Sequence, residues 1–291
     1  MRMEKMKVKY IWNKFHKRFL SFKIHPLTKH NPLGALFRYV KFNFIQYVYG
    51  KPRVYNWIDG LKFYAQKGDA GIVANIYFKL FDYEDSMFLI HNLKENELFV
   101  DIGANVGHYS LLAAGICKAD VIAFEPIPET VIKLEKNISL NCLSHKIKVF
   151  NLGIGAENSN LNFSNTKGAM NSVALGFETD TVSVEVKKLD DVLINLAPNF
   201  LKIDVEGYEY FVLKGAENIL KNKELKYIIV ELNFSTSKFG HTNEEITSLL
   251  LSYNFVPITY DVERKIIQAV ESYNKEKFNT IFVKKDILIS C

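Results

Sequence analysis

Two acidic residues follow apolar segments at a spacing that suits a nucleotide-binding site. Asp101 lies near the end of the apolar segment 98–102, and Glu125 follows the apolar segment 121–124, 24 positions after Asp101. One strand, one helix and a second strand occupy this length, so both carboxylates are expected at the same edge of a parallel sheet. A carboxylate that ends the second strand can accept hydrogen bonds from ribose hydroxyls. The spacing therefore predicts a site for a ribose-containing cofactor.

The turn after Asp101 contains Gly103, Asn105 and Gly107. Glycines permit a tight turn and a close approach of the backbone to a ligand, and the first amides of the next helix favour an anionic group. The spacing differs from G-x-G-x-x-G, which disfavours a dinucleotide pyrophosphate. Asp101 can accept from an ammonium group, which S-adenosylmethionine (SAM) carries and a nicotinamide dinucleotide lacks. We therefore expect SAM to bind at Asp101 and Glu125, beside the turn that contains Gly103 and Gly107.

Four further side chains are candidates for proton transfer. Asp204 and Glu206 follow the apolar segment 200–203, His108 follows the glycine turn, and Glu231 ends another apolar segment. A hydroxyl is a weak nucleophile at neutral pH, so transfer of a methyl group to it benefits from a general base. Asp204 and Glu206 rank first, because repulsion between two nearby carboxylates raises one of their pKa values.

Two alternatives remain open for these carboxylates. Glu206 could cap the helix that follows it. The same carboxylates could hold a divalent cation that orients a diol, since carboxylate oxygens are common ligands of such ions. The spacing alone does not decide between a base and a metal ligand.

The surrounding segments alternate between apolar strands and amphipathic helices, which is typical of an α/β fold with helices on both faces of a mostly parallel sheet. Between the third and fourth strands, a segment of about 155–188 is rich in Asn, Ser, Thr and Gly and contains strand-like alternation. We predict a β-rich insertion there. Its loop, 164–176, either lies over a pocket or forms a plain surface hairpin.

Three motifs in chain order resemble the FkbM family of SAM-dependent methyltransferases: Val100–Gly107, Phe124–Pro126 and Leu201–Gly207. The resemblance implies a Rossmann-like class I sheet of seven strands in the order 3-2-1-4-5-7-6, with strand 7 antiparallel. It also implies that the glycine turn surrounds the methionine part of SAM, that the ribose lies at Glu125, and that Asp204 and Glu206 face the methyl group.

Two positions depart from the family pattern. His108 stands where an aromatic or aliphatic residue is usual, and Gly155-Ala156-Glu157 replaces the usual Gly-Asp after the third strand. His108 would add a titratable group near the cofactor.

The resemblance implies O-methylation of a sugar hydroxyl, in a nucleotide sugar or in a surface glycan such as capsule or lipopolysaccharide. The first alternative is a polyketide or other small-molecule hydroxyl. A dinucleotide-dependent oxidoreductase and a non-catalytic interaction subunit are the other classes considered.

Charge divides the chain unevenly. Residues 1–41 contain 11 Lys or Arg and one acid, Glu4, whereas the remainder has a net charge of −5. We therefore predict a basic, aromatic-rich N-terminal helical arm (1–50) and a methyltransferase domain (51–291). The acidic remainder argues against nucleic acid as the substrate.

One apolar helical face is predicted in the arm, and it has two explanations. The face either packs on the catalytic domain or a second subunit, or contacts the inner face of a membrane as a peripheral helix. Its residues are Leu36, Phe37, Val40, Phe44 and Val48.

The cellular compartment is inferred from absent signals. The three cysteines lack metal-ligand spacing, the N-terminus lacks the pattern of a signal peptide, and no apolar run reaches the roughly 18 residues that span a bilayer. We expect a cytoplasmic protein, with peripheral contact at the membrane through the arm as the other possibility.

Overall fold

A computed structural model describes residues 15–164, 173–174 and 180–289. Contacts divide the described chain between Tyr83 and Glu84 into two compact units. The domain boundary predicted after residue 50 falls inside the first unit, because the helix that ends at Tyr49 packs on elements between residues 50 and 83. None of the helices in the described ranges is long and apolar enough to cross a membrane.

From residue 15 onward, where its description begins, the first unit contains three helices and a β-hairpin. The hairpin loop includes a 3-10 turn, Ile58–Gly60, in which Asp59 and Gly60 have φ of 48° and 81°. This left-handed pair turns the chain between the two strands, as the Asp-Gly dipeptide predicts. The elements are α1 (15–24), α2 (Pro32–Tyr49), β1 (Arg53–Asn56), β2 (Lys62–Ala65) and α3 (Ala70–Phe78).

Helix α2 buries a different face from the one predicted. Its inner face consists of Ala35, Tyr39, Phe42 and Gln46. The Tyr39 ring packs edge-on against the ring of Tyr77, with the ring centres 5.2 Å apart. The predicted packing face is largely exposed, because α2 is apolar on both sides and periodicity alone does not indicate which side has a partner. The exposed side chains include Phe37, Val40, Phe44 and Val48, whereas Leu36 is half-buried.

The second unit alternates strands and helices, and its described residues form two sheets. A 3-10 helix, Phe234–Phe239, follows the strand Tyr227–Glu231. The elements are α4 (Tyr83–Asn92), β3 (Leu98–Ile102), α5 (His108–Gly115), β4 (Asp120–Phe124), α6 (Pro128–Leu140), β5 (Ile147–Phe150), β6 (Gly153–Ile154), β7 (Ser159–Ser164), β8 (Thr181–Lys187), α7 (Leu189–Val192), β9 (Phe200–Ile203), α8 (Glu209–Lys214), α9 (Glu217–Lys221), β10 (Tyr227–Glu231), α10 (Asn243–Ser252), β11 (Phe255–Asp261), β12 (Ile266–Ala269), β13 (Asn279–Lys284) and α11 (Lys285–Ile289).

The large sheet has eight strands in the order β12-β11-β13-β10-β9-β3-β4-β5. Strands β5, β4, β3, β9 and β10 are parallel, and β13 pairs antiparallel with β10 and β11. Numbered along the chain without β12, the other seven strands have the order 3-2-1-4-5-7-6. Strand β12 is an eighth strand, in addition to the seven strands that were predicted. Its Ile-Ile-Gln-Ala segment is short and mostly exposed, so it lacks the apolar run that marks the central strands.

Both faces of the central strands are covered. On one face, alternate strand residues such as Val100 and Leu201 join a core with Val212 of α8 and Leu250 of α10. On the other face, the Phe88 ring of α4 packs edge-on against Phe200, with the ring centres 6.0 Å apart. This burial on two sides explains the continuous apolar character of these strands.

The predicted insertion forms a separate sheet of order β6-β8-β7. A small core under this sheet contains Ile127, Phe163 and Val186. The predicted loop 164–176 lies outside the described residues except at Ser164 and at 173–174. Val173 pairs with Phe163 as an isolated bridge.

Apolar residues at helical spacing continue from Tyr208 to Leu220, a pattern that predicts one long helix, but this segment forms two short helices, α8 and α9. The interruption lies at Gly215, where an added Cβ would be 2.0 Å from the carbonyl oxygen of Gly155. The Asp190 carboxylate then caps α9 by accepting from the N–H groups of Asn218 and Ile219. Asp190 thus provides the helix start that the apolar pattern did not reveal.

Candidate active site

The sheet register brings the predicted acidic residues to one edge. Asp101 of β3 pairs with Lys202 of β9, which pairs with Ile229 of β10. Asp204 and Glu231 lie two positions beyond Lys202 and Ile229, and side chains two residues apart on a strand share a face. The carboxyl ends of β3, β9 and β10 therefore present their polar side chains on the same side of the sheet.

The turn after β3 depends on backbone conformations that favour glycine. Gly103 and Gly107 have φ of 82° and 99°, and Asn105 has φ of 50°. A Cβ on Gly103 would lie 1.8 Å from the carbonyl oxygen of Asp204, so glycine lets the ends of β3 and β9 approach each other. A Cβ on Gly107 would lie 2.7 Å from Cδ1 of Leu134 in α6. A side chain at either glycine would therefore collide with the protein itself, so the tight turn requires glycine at both positions.

Asp101 and Glu125 are buried at the ends of β3 and β4. Ser110 donates a hydrogen bond of 2.6 Å to the Asp101 carboxylate. The Glu125 carboxylate accepts from the N–H groups of Asn105 at 2.9 Å and Ile127 at 3.0 Å. Burial raises the pKa of Asp101 to about 6 and that of Glu125 to about 7. Both carboxylates are therefore held by the protein in a region that favours their neutral form.

This arrangement fits the ribose and ammonium groups of SAM. A carboxylate offers about four acceptor positions, and the two backbone N–H groups occupy only part of the capacity of Glu125. A ligand with hydroxyl or ammonium donors would offset part of the cost of burying the charged forms of Glu125 and Asp101. The donor set required by the cofactor thus matches the acceptors at these two strand ends.

Three carboxylates cluster beyond β9 and β10. One oxygen from each of Asp204, Glu206 and Glu231 lies within 4.8 Å of the other two. Burial, reinforced by the charge of Asp204, raises the pKa of both Glu206 and Glu231. We call these three residues the acidic cluster. The cluster can accept a proton from a substrate, and its three oxygens are also close enough to hold one divalent cation.

Glu206 has a backbone conformation that a non-glycine residue seldom adopts, with φ of 56°. Such a conformation costs on the order of 1 kcal/mol and is frequent at functional sites. Glu209, which was not among the predicted site residues, supports this loop, because its carboxylate accepts from the N–H groups of Val205 and Gly207 at 3.2 and 3.0 Å. Glu209 thus holds the loop in front of α8, and Glu206 is not the capping residue, because the N-cap position is Tyr208, which makes no side-chain capping hydrogen bond.

Lys202 is a buried cation that was also absent from the predicted site. Its side chain is 1% exposed. The Lys202 ammonium donates to the Asp204 carboxylate at 3.1 Å and to the side-chain oxygen of Asn279 at 3.3 Å, and it lies 5.2 Å from the centre of the Tyr109 ring. The Asn279 amide donates in turn to the Asp85 carboxylate at 3.0 Å. Helix α4 is thereby connected to the acidic cluster through polar contacts.

The charge of Lys202 is maintained by its acidic neighbours. Burial lowers the pKa of Lys202, but the nearby carboxylates of Asp204 and Glu231 outweigh burial and hold that pKa above its ordinary value. Lys202 is therefore an ammonium ion at neutral pH and acts as a fixed cation rather than a base. A lysine inside the apolar central strand Phe200–Ile203 is the sequence signal that could have identified it.

His108 lies at the start of α5 and is buried. Its Nε2 atom is 2.9 Å from the Ser86 hydroxyl oxygen. Burial, reinforced by the positive charge of Lys202, lowers the pKa of His108 to about 3. The imidazole is consequently neutral in the physiological range, and this low pKa makes it a weak proton acceptor.

Comparison with known proteins places this site in a protein family. The Methyltransferase FkbM domain matches residues 101–257. Hexuronic acid methyltransferase AglP of Haloferax volcanii is 26% identical over 165 residues, which cover 56% of this chain and 64% of that protein. Methyltransferase sdnD of Sordaria araneosa is 32% identical over 178 residues, which cover 49% of this chain and 68% of that protein.

Among solved structures, precorrin-6y C5,15-methyltransferase from Geobacter metallireducens superposes with a TM-score of 0.40 and 13% identity, covering 69% of this chain and 86% of that one. The family match spans more than half of the 291 residues and includes both Asp101 and the acidic cluster. The resemblance inferred from the three motifs is thus confirmed, and the chain belongs to the FkbM family of SAM-dependent methyltransferases.

Proposed function

We propose that this methyltransferase transfers the methyl group of SAM to a hydroxyl oxygen of a sugar, either in a nucleotide sugar or in a glycan destined for the cell surface. The observation that carries the proposal is the acidic cluster, whose carboxylates lie at the sheet edge beside the glycine turn. An incoming hydroxyl must lose its proton, and a carboxylate with a raised pKa is suited to accept it.

Asp101 and Glu125 are proposed to bind the cofactor, together with the turn that contains Gly103, Asn105 and Gly107. Bound SAM supplies a methyl group on a positively charged sulfur. The buried carboxylates offer acceptors for its ammonium and ribose groups, and the acidic surroundings favour a cation.

Asp204 and Glu206 are proposed to remove the acceptor proton. Lys202 holds one oxygen of Asp204, and the pKa of Glu206 is raised by burial and by the charge of Asp204. His108 is the weaker candidate because its pKa is about 3. A divalent cation held by the acidic cluster would instead orient two neighbouring hydroxyls of a sugar. Dialysis against a chelator, followed by assay with and without Mg²⁺, distinguishes these roles, because a base alone needs no added ion.

The sugar class is favoured by the similarity to a hexuronic acid methyltransferase. A small-molecule hydroxyl such as that of a polyketide is the second candidate, because the family resemblance implies polyketide as well as sugar acceptors. Incubation with methyl-labelled SAM and two matched acceptor panels, nucleotide sugars and glycans in one and polyketide alcohols in the other, tests the choice. We expect label in the sugar panel. Label only in the second panel would reject the sugar class.

Replacing Glu125 with alanine is expected to weaken SAM binding about tenfold or more, because a pair of charge-assisted hydrogen bonds is lost. Titration calorimetry with SAM measures the change. The matched control is Glu129→Ala, which removes an exposed carboxylate four positions later. Because Glu125 also accepts two backbone N–H groups, thermal unfolding must first show that the variant is folded. Unchanged affinity in a folded variant would reject the ribose assignment.

A further inference from the structure

The outer face of α2 is an exposed apolar stripe. The stripe consists of Leu33, Phe37, Val40, Phe44 and Tyr47. These residues are separated by four, three, four and three positions, so they lie along one side of the helix over about 20 Å. The exposed fractions of Leu33, Phe37, Phe44 and Tyr47 are 68%, 66%, 66% and 89%. We call these five residues the outer face of α2.

The stripe is not the side of α2 that packs in the core of the first unit. The opposite side of α2 is already packed within the first unit, where the Tyr39 ring contacts Phe15 and Tyr77 and the Phe42 ring contacts Tyr55. Two large phenylalanines and a tyrosine in line on the other side therefore have no role in that packing. Contiguous apolar exposure of this kind marks an interaction surface.

The charged residues around the outer face of α2 indicate what kind of surface it binds. Residues 15–58 contain eight Lys or Arg and no Asp or Glu. Lys41 is exposed beside the stripe, and Lys51 and Arg53 are exposed just beyond the C-terminal end of α2, with the Arg53 guanidinium 4.3 Å from the centre of the Tyr49 ring. An apolar helix face with cations at its flank and end is complementary to a surface that is anionic outside and apolar beneath.

We propose that the outer face of α2 docks on an anionic lipid surface, with the phenylalanine rings inserted at the headgroup boundary and the cations near lipid phosphates. Tyrosine and phenylalanine with flanking Lys and Arg are the side chains favoured at this boundary. A second copy of the chain fits less well, because pairing the same faces would bring two cationic surfaces together without an acid from residues 15–58 of either copy. This inference concerns the first unit and is independent of the proposed acceptor.

Co-sedimentation of the full chain with phosphatidylcholine vesicles that contain phosphatidylserine tests the proposal. We expect binding that increases with the phosphatidylserine content of the vesicles and decreases with added salt. Phe37→Ser/Phe44→Ser should weaken vesicle binding at least tenfold. The control pair Ile132→Ser/Ile266→Ser, two similarly exposed apolar residues of the second unit, should bind like wild type.

Thermal unfolding identifies variants that are folded, since all four substituted side chains are exposed. Failure of the wild type to bind anionic vesicles at low salt would overturn the proposal, as would equal binding by the Phe37/Phe44 variant. If sedimentation equilibrium instead shows a wild-type dimer that this variant abolishes, without vesicle binding, a second copy covers the face.

Discussion

Replacing Lys202 with methionine is expected to lower the free energy of unfolding by up to about 3–5 kcal/mol, because removing this buried ammonium leaves the neighbouring carboxylates without its compensating charge. Lys202 is 1% exposed and donates to Asp204. Methyl transfer should also fall about 100-fold, since a small displacement of an active-site group can have that effect. Denaturant unfolding and transfer assays at saturating SAM measure the two changes.

The destabilisation should depend on pH. Lys202 lowers the pKa values of Asp101 and Glu231, but burial still keeps both above their ordinary values. The folded state therefore binds more protons than the unfolded state between about pH 4 and the folded pKa values, and stability falls as pH rises through this interval. Without Lys202 both pKa values rise further, so the impairment of the variant should be least near pH 4 and should grow as pH rises past the wild-type pKa of Asp101, about 6, and then past that of Glu231, about 9.

Lys146→Met provides the matched control, because Lys146 forms a surface ion pair of 3.0 Å with Asp120 at the other edge of the sheet. This variant should lose at most about 1 kcal/mol. A loss for Lys202→Met no larger than that of the control would contradict the role given to the buried ammonium.

Asp204→Asn is expected to lower the rate of methyl transfer by about 10²–10⁴-fold, the usual contribution of general acid–base catalysis. The fold should persist, because the amide can still accept from Lys202. The charge of Asp204 also raises the pKa of Glu206. Its removal lowers that pKa, so the acid limb of the residual pH–rate profile should move to lower pH.

Single-turnover assays with bound methyl-labelled SAM separate transfer from cofactor binding. Asp120→Asn, at the amino end of β4, is the control and should retain the wild-type rate. Glu206→Gln tests the other carboxylate of the proposed pair. Full activity in both Asp204→Asn and Glu206→Gln would place the base elsewhere.

Strand ends were the most predictable part of the site. Asp101, Glu125 and Asp204 each follow a short apolar run, and the parallel sheet places the ends of such runs at one edge. The glycine turn after β3 was also predicted, but the close approach of the Asp204 carbonyl oxygen to Gly103 was not. This contact depends on which strands lie next to each other in the folded sheet, so it could not be inferred from local sequence.

The other differences between prediction and structure also arise from contacts between residues that are distant in the sequence or from exposure that the sequence does not reveal. Lysine is normally exposed, so Lys202 inside β9 was passed over, and its partner Asn279 is 77 residues away. Helix α2 is apolar on two sides, so its periodicity predicted a helix but assigned the wrong face to the core. Strand β12 is exposed and follows β11 through a short turn, and its pairing was not visible as an apolar run.

The position of the transferred methyl group tests the central claim most directly. A hexuronic acid offers both hydroxyls and a carboxylate, and only a hydroxyl needs the general base that the acidic cluster is proposed to supply. We would incubate the wild-type chain with methyl-labelled SAM and a nucleotide-linked hexuronic acid, treat the product with mild alkali, and locate the label by NMR. An alkali-stable methyl ether on a ring hydroxyl is predicted. An alkali-labile methyl ester on the carboxylate would contradict it.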